Sequence, residues 1–222
     1  MGSITRSFAN NITTSGVLLP ASLVNNSIAN VTSYNAAVAT GGMVLISSQT
    51  ASNSASISFT TGIDSTYKEY QFYFINLVPR NNNGNQFHFQ GSTDGGTNYN
   101  TTITSTFFIS IHNEADSATN LAYDTNRDLA QSTSFQTFAD GTGGDTGGST
   151  DKNASGMLTL YNPASTTYVK HFIGVCNNLS DNDYSRNEFV AGYFNSTSAI
   201  NAMRFKHSTA NFDGTILMFG IV

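Results

Sequence analysis

From Met43 to Val222 the sequence is a succession of short β-type runs separated by clusters of Gly, Asn, Asp and Ser, and this pattern constrains the fold most strongly. No comparable helical period lies between the runs. Strands at this spacing indicate an all-β domain, which we expect to be an antiparallel β-sandwich. The runs predict strands near residues 43–48, 55–60, 68–77, 85–91, 104–112, 132–138, 156–162, 167–176, 187–194, 200–207 and 214–221.

Two aromatic runs, "YQFYFINL" and "NQFHFQ", carry the clearest alternation. In the second, Phe87 and Phe89 predict a buried face, and Gln86, His88 and Gln90 predict a solvated one. The first is apolar on both faces, which predicts a central strand or a second face in contact with another subunit. Its two faces carry Phe72 and Phe74 on one side and Tyr73, Ile75 and Leu77 on the other.

The segment between these two runs predicts a change of direction. Pro79 has no N–H to donate to a central ladder, and "RNNNGN" is rich in residues that tolerate positive φ. We therefore expect a hairpin or a corner between sheets.

Composition indicates a folded chain and excludes two classes of partner. Only 10% of the residues are charged, but 16 Phe and 10 Tyr are far more aromatic residues than disorder permits. The net charge of −5 and scattered Lys and Arg supply no basic stripe for nucleic acid. The sequence has neither an apolar run of about 18 residues nor a signal-peptide pattern, so we expect no membrane partner.

The first 42 residues differ from the rest. They combine small, polar and aliphatic residues without a sustained period, as expected of an extended arm. A helix over residues 21–31 capped by Ser22 is an alternative for part of it. Gly41 and Gly42 would form a hinge. We predict an N-terminal attachment arm over residues 1–42 and a sandwich over residues 43–222.

Four acidic residues cluster in the predicted loop 113–131, namely Glu114, Asp116, Asp124 and Asp128. Their spacing matches neither a calcium loop nor a glycosidase pair, so we interpret them as a solvated acidic loop. The glycine-rich segment 139–156 lacks the Gly-Lys-Ser/Thr ending of a phosphate loop and is interpreted as a flexible linker.

Histidine and cysteine do not predict a catalytic centre. His88, His112, His171 and His207 lie on separate predicted strands without metal-ligand spacing. His88 and His112 fall on polar faces, and His171 is expected to be half-buried and hydrogen-bonded. Cys176, the only cysteine, is expected to be a small buried residue. We therefore expect no catalytic, cofactor-binding or metal-binding residues, and no enzyme.

Carbohydrate binding stays open as an alternative. The loops "DGGTNYN" (94–100) and "SDNDYSRNE" (180–188) place Tyr beside amides and carboxylates, the side chains that sugar sites use. The absence of Trp weakens this hypothesis.

Three stretches carry a resemblance to a known group of proteins: "ISFTTGIDSTYKEYQFYFINLVP", "FHFQGSTDGGTNYN" and the ending "FDGTILMFGIV". They resemble virion surface proteins of marine tailed phages, including cyanophages, over about residues 55–222. That group includes head-decoration and tail-fibre proteins. The resemblance implies a jelly-roll-like sandwich and supplies no catalytic residues. The opening "RSFANNITTSGVL" resembles the attachment segment of phage appendage proteins.

Two functions follow from this resemblance. The first is a capsid decoration (cement) protein that binds the major capsid protein through its N-terminal arm and stabilises the phage head. The alternative is a tail-fibre or receptor-binding module that recognises host surface glycan. Either would be made in the bacterial cytoplasm and carried on the virion. A homotrimer is expected, because strand 70–77 has more apolar side chains than one core face can use.

Overall fold

The computed structural model of this chain describes residues 42–80, 86–140, 152–180 and 183–222. Within those ranges the protein is all-β and contains no helix, so no helix there is long and apolar enough to cross a membrane. Three sequence-based predictions lie wholly or largely outside the described residues: the arm over 1–42 with its alternative helix and hinge, the linker over 139–156, and the turn at 81–85.

Twelve strands run in chain order: β1 Met43–Ser54, β2 Ile57–Phe59, β3 Glu69–Pro79, β4 Phe87–Ser92, β5 Ile103–Asn113, β6 Thr119–Tyr123, β7 Gln136–Ala139, β8 Ala154–Tyr161, β9 Lys170–Ser180, β10 Tyr184–Phe194, β11 Ala202–His207 and β12 Phe212–Ile221. Each of the eleven predicted strands overlaps one of these. The prediction of a loop over 113–131 is wrong in part, because it contains β6. Four of the five residues of β6 are exposed, so this edge strand has no alternating buried pattern to detect.

The strands form an antiparallel sandwich of one large and one small sheet. The large sheet has the order β1-β12-β3-β8-β9-β10-β5-β6, and the small sheet the order β2-β11-β4-β7. Four nested pairs define the connectivity: β1 with β12, β2 with β11, β3 with β8 and β4 with β7. Nested pairs whose members alternate between two sheets are the winding of a jelly roll. The remaining four strands extend the large sheet beyond β8.

The core between the sheets is built mainly from phenylalanine. Phe72 and Phe74 of β3 face Phe87, Phe89 and Phe205 of the small sheet, and all five are at most 2% exposed. Phe74 meets Phe87 and Phe205 edge to face, the latter at 5.1 Å between ring centroids. Each buried Phe contributes about 1.5–3 kcal/mol by leaving water, so these alternating runs supply much of the driving force for folding.

A β-bulge changes the direction of the side chains at the end of β3. The register between β3 and β8 shifts between Phe74 and Leu77, and Asn76 has a φ of 51°. Leu77 is consequently fully buried, although the alternation groups it with Tyr73 and Ile75 on the side opposite Phe72 and Phe74. Opposite the bulge, Gly214 has a φ of 136°, and a Cβ there would lie 2.8 Å from Asn76 O.

The stretch 70–90 is a corner between sheets and not a hairpin. Strand β3 lies at the centre of the large sheet, paired with β12 and β8, whereas β4 belongs to the small sheet. Pro79 is the last residue of β3, where a missing N–H costs least. Because β3 is a central strand of the large sheet, its outward side chains lie in the middle of the outer face of that sheet.

Candidate interaction surface

The outer face of the large sheet carries a continuous line of apolar side chains. Cross-strand register places seven of them side by side on seven adjacent strands: Leu217, Tyr73, Met157, Val175, Phe189, Phe108 and Tyr123. We call these residues the outer apolar row. Ser48 of β1 continues the line beyond Leu217, so the line crosses all eight strands.

The row is accessible to solvent and nearly free of charge. None of its members is buried; Phe108 is 40% and Tyr123 is 52% exposed. Ile173, the outward-facing residue next to Val175 on β9, is 51% exposed. Along β3, β8, β9, β10 and β5 the outward positions carry the carboxylate of Glu69 but no lysine or arginine. A broad apolar face with this little charge is typical of a surface that contacts another protein.

The outward histidines on this face are not buried. His171 is exposed, so the prediction that it is half-buried is wrong; its ring lies edge-on to Tyr193 with centroids 5.9 Å apart. His112 is also exposed and contacts Asp116, with Nε2 3.0 Å from Oδ1. The prediction failed because the apolar residues that share alternate positions with His171, among them Ile173 and Val175, themselves face outward.

The four loop acids do not converge on a site. Asp116 contacts His112, Asp124 accepts a hydrogen bond from the Asn126 N–H, and Asp128 accepts one from the Tyr123 hydroxyl at 2.6 Å. Glu114 lines a separate shallow depression with Asn177. Within the described ranges no three His, Cys, Asp or Glu side chains are grouped closely enough to hold a metal ion.

The two segments considered for glycan binding lie at opposite ends of the large sheet, and the prediction that the second is a loop is wrong for most of its described residues: Ser180 ends β9, and residues 184–188 belong to β10. Ile103, just after loop 94–100, pairs with Phe194 at one end of β10, and Asn113 pairs with Tyr184 at the other. The two pairs stand at opposite ends of the eleven-residue strand β10, about 33 Å apart. The described residues of the two segments therefore do not form one shared site.

Loop 94–100 is held together by hydrogen bonds around Asp94, while its Tyr99 hydroxyl is buried without a hydrogen-bond partner among the described residues. Asp94 accepts hydrogen bonds from the Asn98 N–H, the Asn98 side chain and Ser92 Oγ, and these bonds lower the pKa of its carboxyl to about 2. The Tyr99 ring is 9% exposed because the Arg204 guanidinium covers it at 3.9 Å from the ring centroid. Neither group is presented as an open sugar platform.

Cys176 is fully buried in the core, which confirms the sequence-based interpretation. Burial raises the pKa of its thiol well above the ordinary value, and the nearby carboxyl of Glu188 acts in the same direction. A thiol in such surroundings stays protonated and is a poor nucleophile.

A buried ionic cluster that the sequence did not reveal joins the two sheets. Arg186 of β10 donates from Nε to Glu188 and from Nη2 to Asp140, the residue after β7, while Arg127 lies 3.2 Å from Asp140. Glu188 is 1% exposed and also accepts bonds from the Asp140 N–H and from Asn178 Nδ2. Burial raises the pKa of Glu188, whereas the charge of Arg186 and the hydrogen bonds from Arg186 and the Asp140 N–H act to lower it.

The outer face of the small sheet is more polar than that of the large one. The prediction that this face of β4 is solvated holds only in part. His88 is half-buried, whereas Gln90 is fully buried and its Nε2 donates to the carbonyls of Thr133 and Ser134. On the neighbouring strand β11, Arg204 and Lys206 point outward.

Comparisons of the chain with protein-family models, with curated proteins and with solved structures give no match. The geometry of the two faces and the resemblance in the sequence are therefore the observations on which a functional argument depends.

Proposed function

We propose that this protein is a non-enzymatic structural protein of a phage virion, a decoration (cement) protein that binds the assembled head and stabilises it. The outer apolar row is the observation that carries the proposal, since it offers a protein-binding surface on a rigid scaffold. The resemblance of residues 55–222 to phage virion surface proteins gives that surface its context.

The dimensions of the large sheet suit a stable protein interface. The face is about 34 Å wide, because eight strands are separated by seven gaps of about 4.8 Å, and about 30 Å long, because the strands average about nine residues at 3.3 Å each. Its area is therefore about 1,000 Å². A standard interface buries about 800 Å² on each partner. The face therefore has enough area for a specific complex without contributions from loops.

The occupant that we propose for this face is a second copy of the chain, within a homotrimer. Phe108, Phe189 and Ile173 supply apolar contacts, and the near absence of charge means that like copies do not repel one another. In this proposal the N-terminal arm, residues 1–42, makes the separate contact with the major capsid protein.

The number of copies per particle tests the decoration function. Mass-spectrometric quantification should find copies comparable in number to the major capsid protein. Particles that lack the protein should rupture at a lower temperature or a milder osmotic shock, because a ligand of the assembled state stabilises that state. A handful of copies confined to the tail, with unchanged head stability and lost adsorption, would favour the receptor-binding alternative.

One observation favours that alternative enough to keep it. Arg204 and Lys206 lie side by side on the outer face of the small sheet, a position that suits an acidic surface component of a host.

A further inference from the structure

We propose that the outer face of the small sheet binds acidic polysaccharide, through Arg204 and Lys206 at the edge of an open depression. This site lies on the opposite side of the sandwich from the outer apolar row. It does not depend on the decoration function, because both faces can be occupied at once.

The two cations are close together and directed to the same side. They occupy alternate positions of β11, which places their Cα atoms about 6.6 Å apart on the outward face. Neither forms an ion pair with any carboxylate of the described residues, whereas Arg80, Arg127 and Arg186 all do. In a chain of net charge −5, two neighbouring cations without an acid are an unusual local excess of positive charge.

Aromatic rings hold both cations in place. The Arg204 guanidinium lies 3.9 Å from the centroid of the Tyr99 ring, and its Nε donates to Ser58 Oγ at 2.9 Å. The Lys206 ammonium lies 4.6 Å from the centroid of the Phe135 ring. Cations fixed in this way lose less conformational entropy when they bind an anion.

The depression beside them has the lining that a sugar needs. Its volume is about 460 Å³, and its lining includes Phe135, Lys206 and neutral polar side chains of Ser56, Ser208 and Asn211. The Ser56 and Ser208 hydroxyls can donate to sugar oxygens, although Ser208 Oγ also accepts from the Gln86 N–H and Asn211 Nδ2 already donates to Asn53. Arg204 and Lys206 offer charge-assisted bonds to carboxylate or sulfate.

Nearby charges leave the site positive. His88 of β4 lies opposite Lys206 of β11 in the strand register. Burial, with contributions from the charges of Lys206 and Arg127, lowers the pKa of His88 to about 4. His88 is therefore neutral at pH 7 and adds no charge. Asp140, the carboxylate that acts on His88, is already paired with Arg127 and Arg186.

Polysaccharide fits this face better than nucleic acid does. Binding of single strands depends on aromatic faces that stack with bases, and here the faces of Tyr99 and Phe135 are covered by the two cations. Two cations also neutralise far less backbone charge than duplex binding requires.

Affinity electrophoresis through gels containing dextran sulfate, polygalacturonate or neutral dextran tests the proposal. We expect one or both acidic polymers to retard the wild-type protein and neutral dextran not to retard it. High salt should abolish the retardation. The response to the sulfated and the carboxylated polymer identifies the preferred acidic group. The double variant Arg204→Gln/Lys206→Gln should bind about tenfold more weakly or worse, as expected for losing two charge-assisted contacts.

The control variant Lys68→Gln removes one cation from an exposed position elsewhere and should bind like the wild type. The single variant Lys206→Gln leaves the contact between Arg204 and Tyr99 intact, so it reports on binding even if the double variant unfolds; it should weaken retardation several-fold. No retardation of the wild type, equal losses for Lys68→Gln and Lys206→Gln, or tighter binding to duplex DNA than to either polymer would overturn the proposal.

Discussion

Phe108 of β5 and Phe189 of β10 stack nearly parallel on the outside of the large sheet, with ring centroids 4.6 Å apart and ring planes 9° apart. They occupy directly opposed positions in the register. Because both rings face away from the core, the pair stabilises the sandwich mainly through the contact between the two rings. The same pair is a ready-made apolar contact for a partner.

Replacing this pair should separate association from folding. The variant Phe108→Ser/Phe189→Ser should be monomeric by light scattering at concentrations where the wild type forms trimers. Its free energy of unfolding should fall by only about 0.5–1.5 kcal/mol plus a β-propensity cost, as for a surface aromatic pair. Tyr168→Ser removes an aromatic ring that is 69% exposed outside the row and should leave the trimer intact. A monomeric wild type would remove the basis of the trimer proposal.

The opposition of Gly214 to Asn76 gives a sharper test of stability. An alanine at 214 would adopt a strained φ and place its Cβ 2.8 Å from a backbone oxygen, so Gly214→Ala should destabilise the fold by about 2–4 kcal/mol. Gly95 also has a positive φ, of 72°, but a Cβ there would meet no atom within 4 Å. Gly95→Ala should therefore cost about 1 kcal/mol. Equal losses in chemical denaturation would show that the close contact is unimportant.

This bulge also marks a limit of inference from the sequence. The alternation in β3 correctly placed Phe72 and Phe74 in the core, because one face of a strand must be buried. It misplaced Leu77, because Asn76 breaks the alternation only in the context of Gly214 on the neighbouring strand. Such a bulge depends on two strands that lie far apart in the chain, and neither strand indicates it alone.

The same limit applies to polar residues. Gln90 has the alternation of a solvated residue, yet its amide is buried because the segment before β7 covers the outside of β4. The cluster of Arg127, Asp140, Arg186 and Glu188 was equally invisible, since it joins a loop, the end of β7 and β10. Local patterns predict which way a strand faces but not what covers it.

Removing Glu188 should be far more costly than removing an exposed charge. Glu188→Ala leaves the Nε of Arg186 and the Asp140 N–H without their buried acceptor, although Arg186 Nη2 keeps its bond to Asp140, and we expect a loss of about 3–5 kcal/mol in the free energy of unfolding. Arg80→Ala breaks an exposed pair with Asp213 and should cost at most about 1 kcal/mol. Urea titrations of both variants provide the comparison, and a loss for Glu188→Ala no larger than that for Arg80→Ala would contradict it.

His207 should make the fold sensitive to acid. Its ring is 2% exposed between Phe87 and Phe212, neither ring nitrogen has a hydrogen-bond partner among the described residues, and burial lowers its pKa from 6.5 to about 3. The unfolded chain takes up a proton below pH 6.5, whereas the folded protein does so only near pH 3. Stability is therefore lost as the pH falls through this window, by about 1.4 kcal/mol per pH unit.

The variant His207→Leu should weaken this dependence without losing a hydrogen bond. Thermal unfolding followed between pH 7 and pH 4 should show a shallower decline for the variant than for the wild type. His171→Leu, which replaces an exposed histidine on the other sheet, should retain the wild-type slope. Parallel declines for all three proteins would mean that His207 does not control acid sensitivity.

A truncated chain that begins at Gly42 should distinguish the proposed functions of the arm and of the sheet. Strand β1 starts at Met43, so the truncation leaves all twelve strands complete, and the thermal transition of the sandwich should be nearly unchanged. If the arm attaches the protein to the head, this chain should still form trimers through the outer apolar row but should fail to add to particles that lack the protein. The variant Phe108→Ser/Phe189→Ser keeps the arm but should no longer form trimers. Sedimentation of particles mixed with each purified protein measures attachment directly, and binding of the truncated chain at the wild-type level would assign attachment to the sandwich instead of the arm.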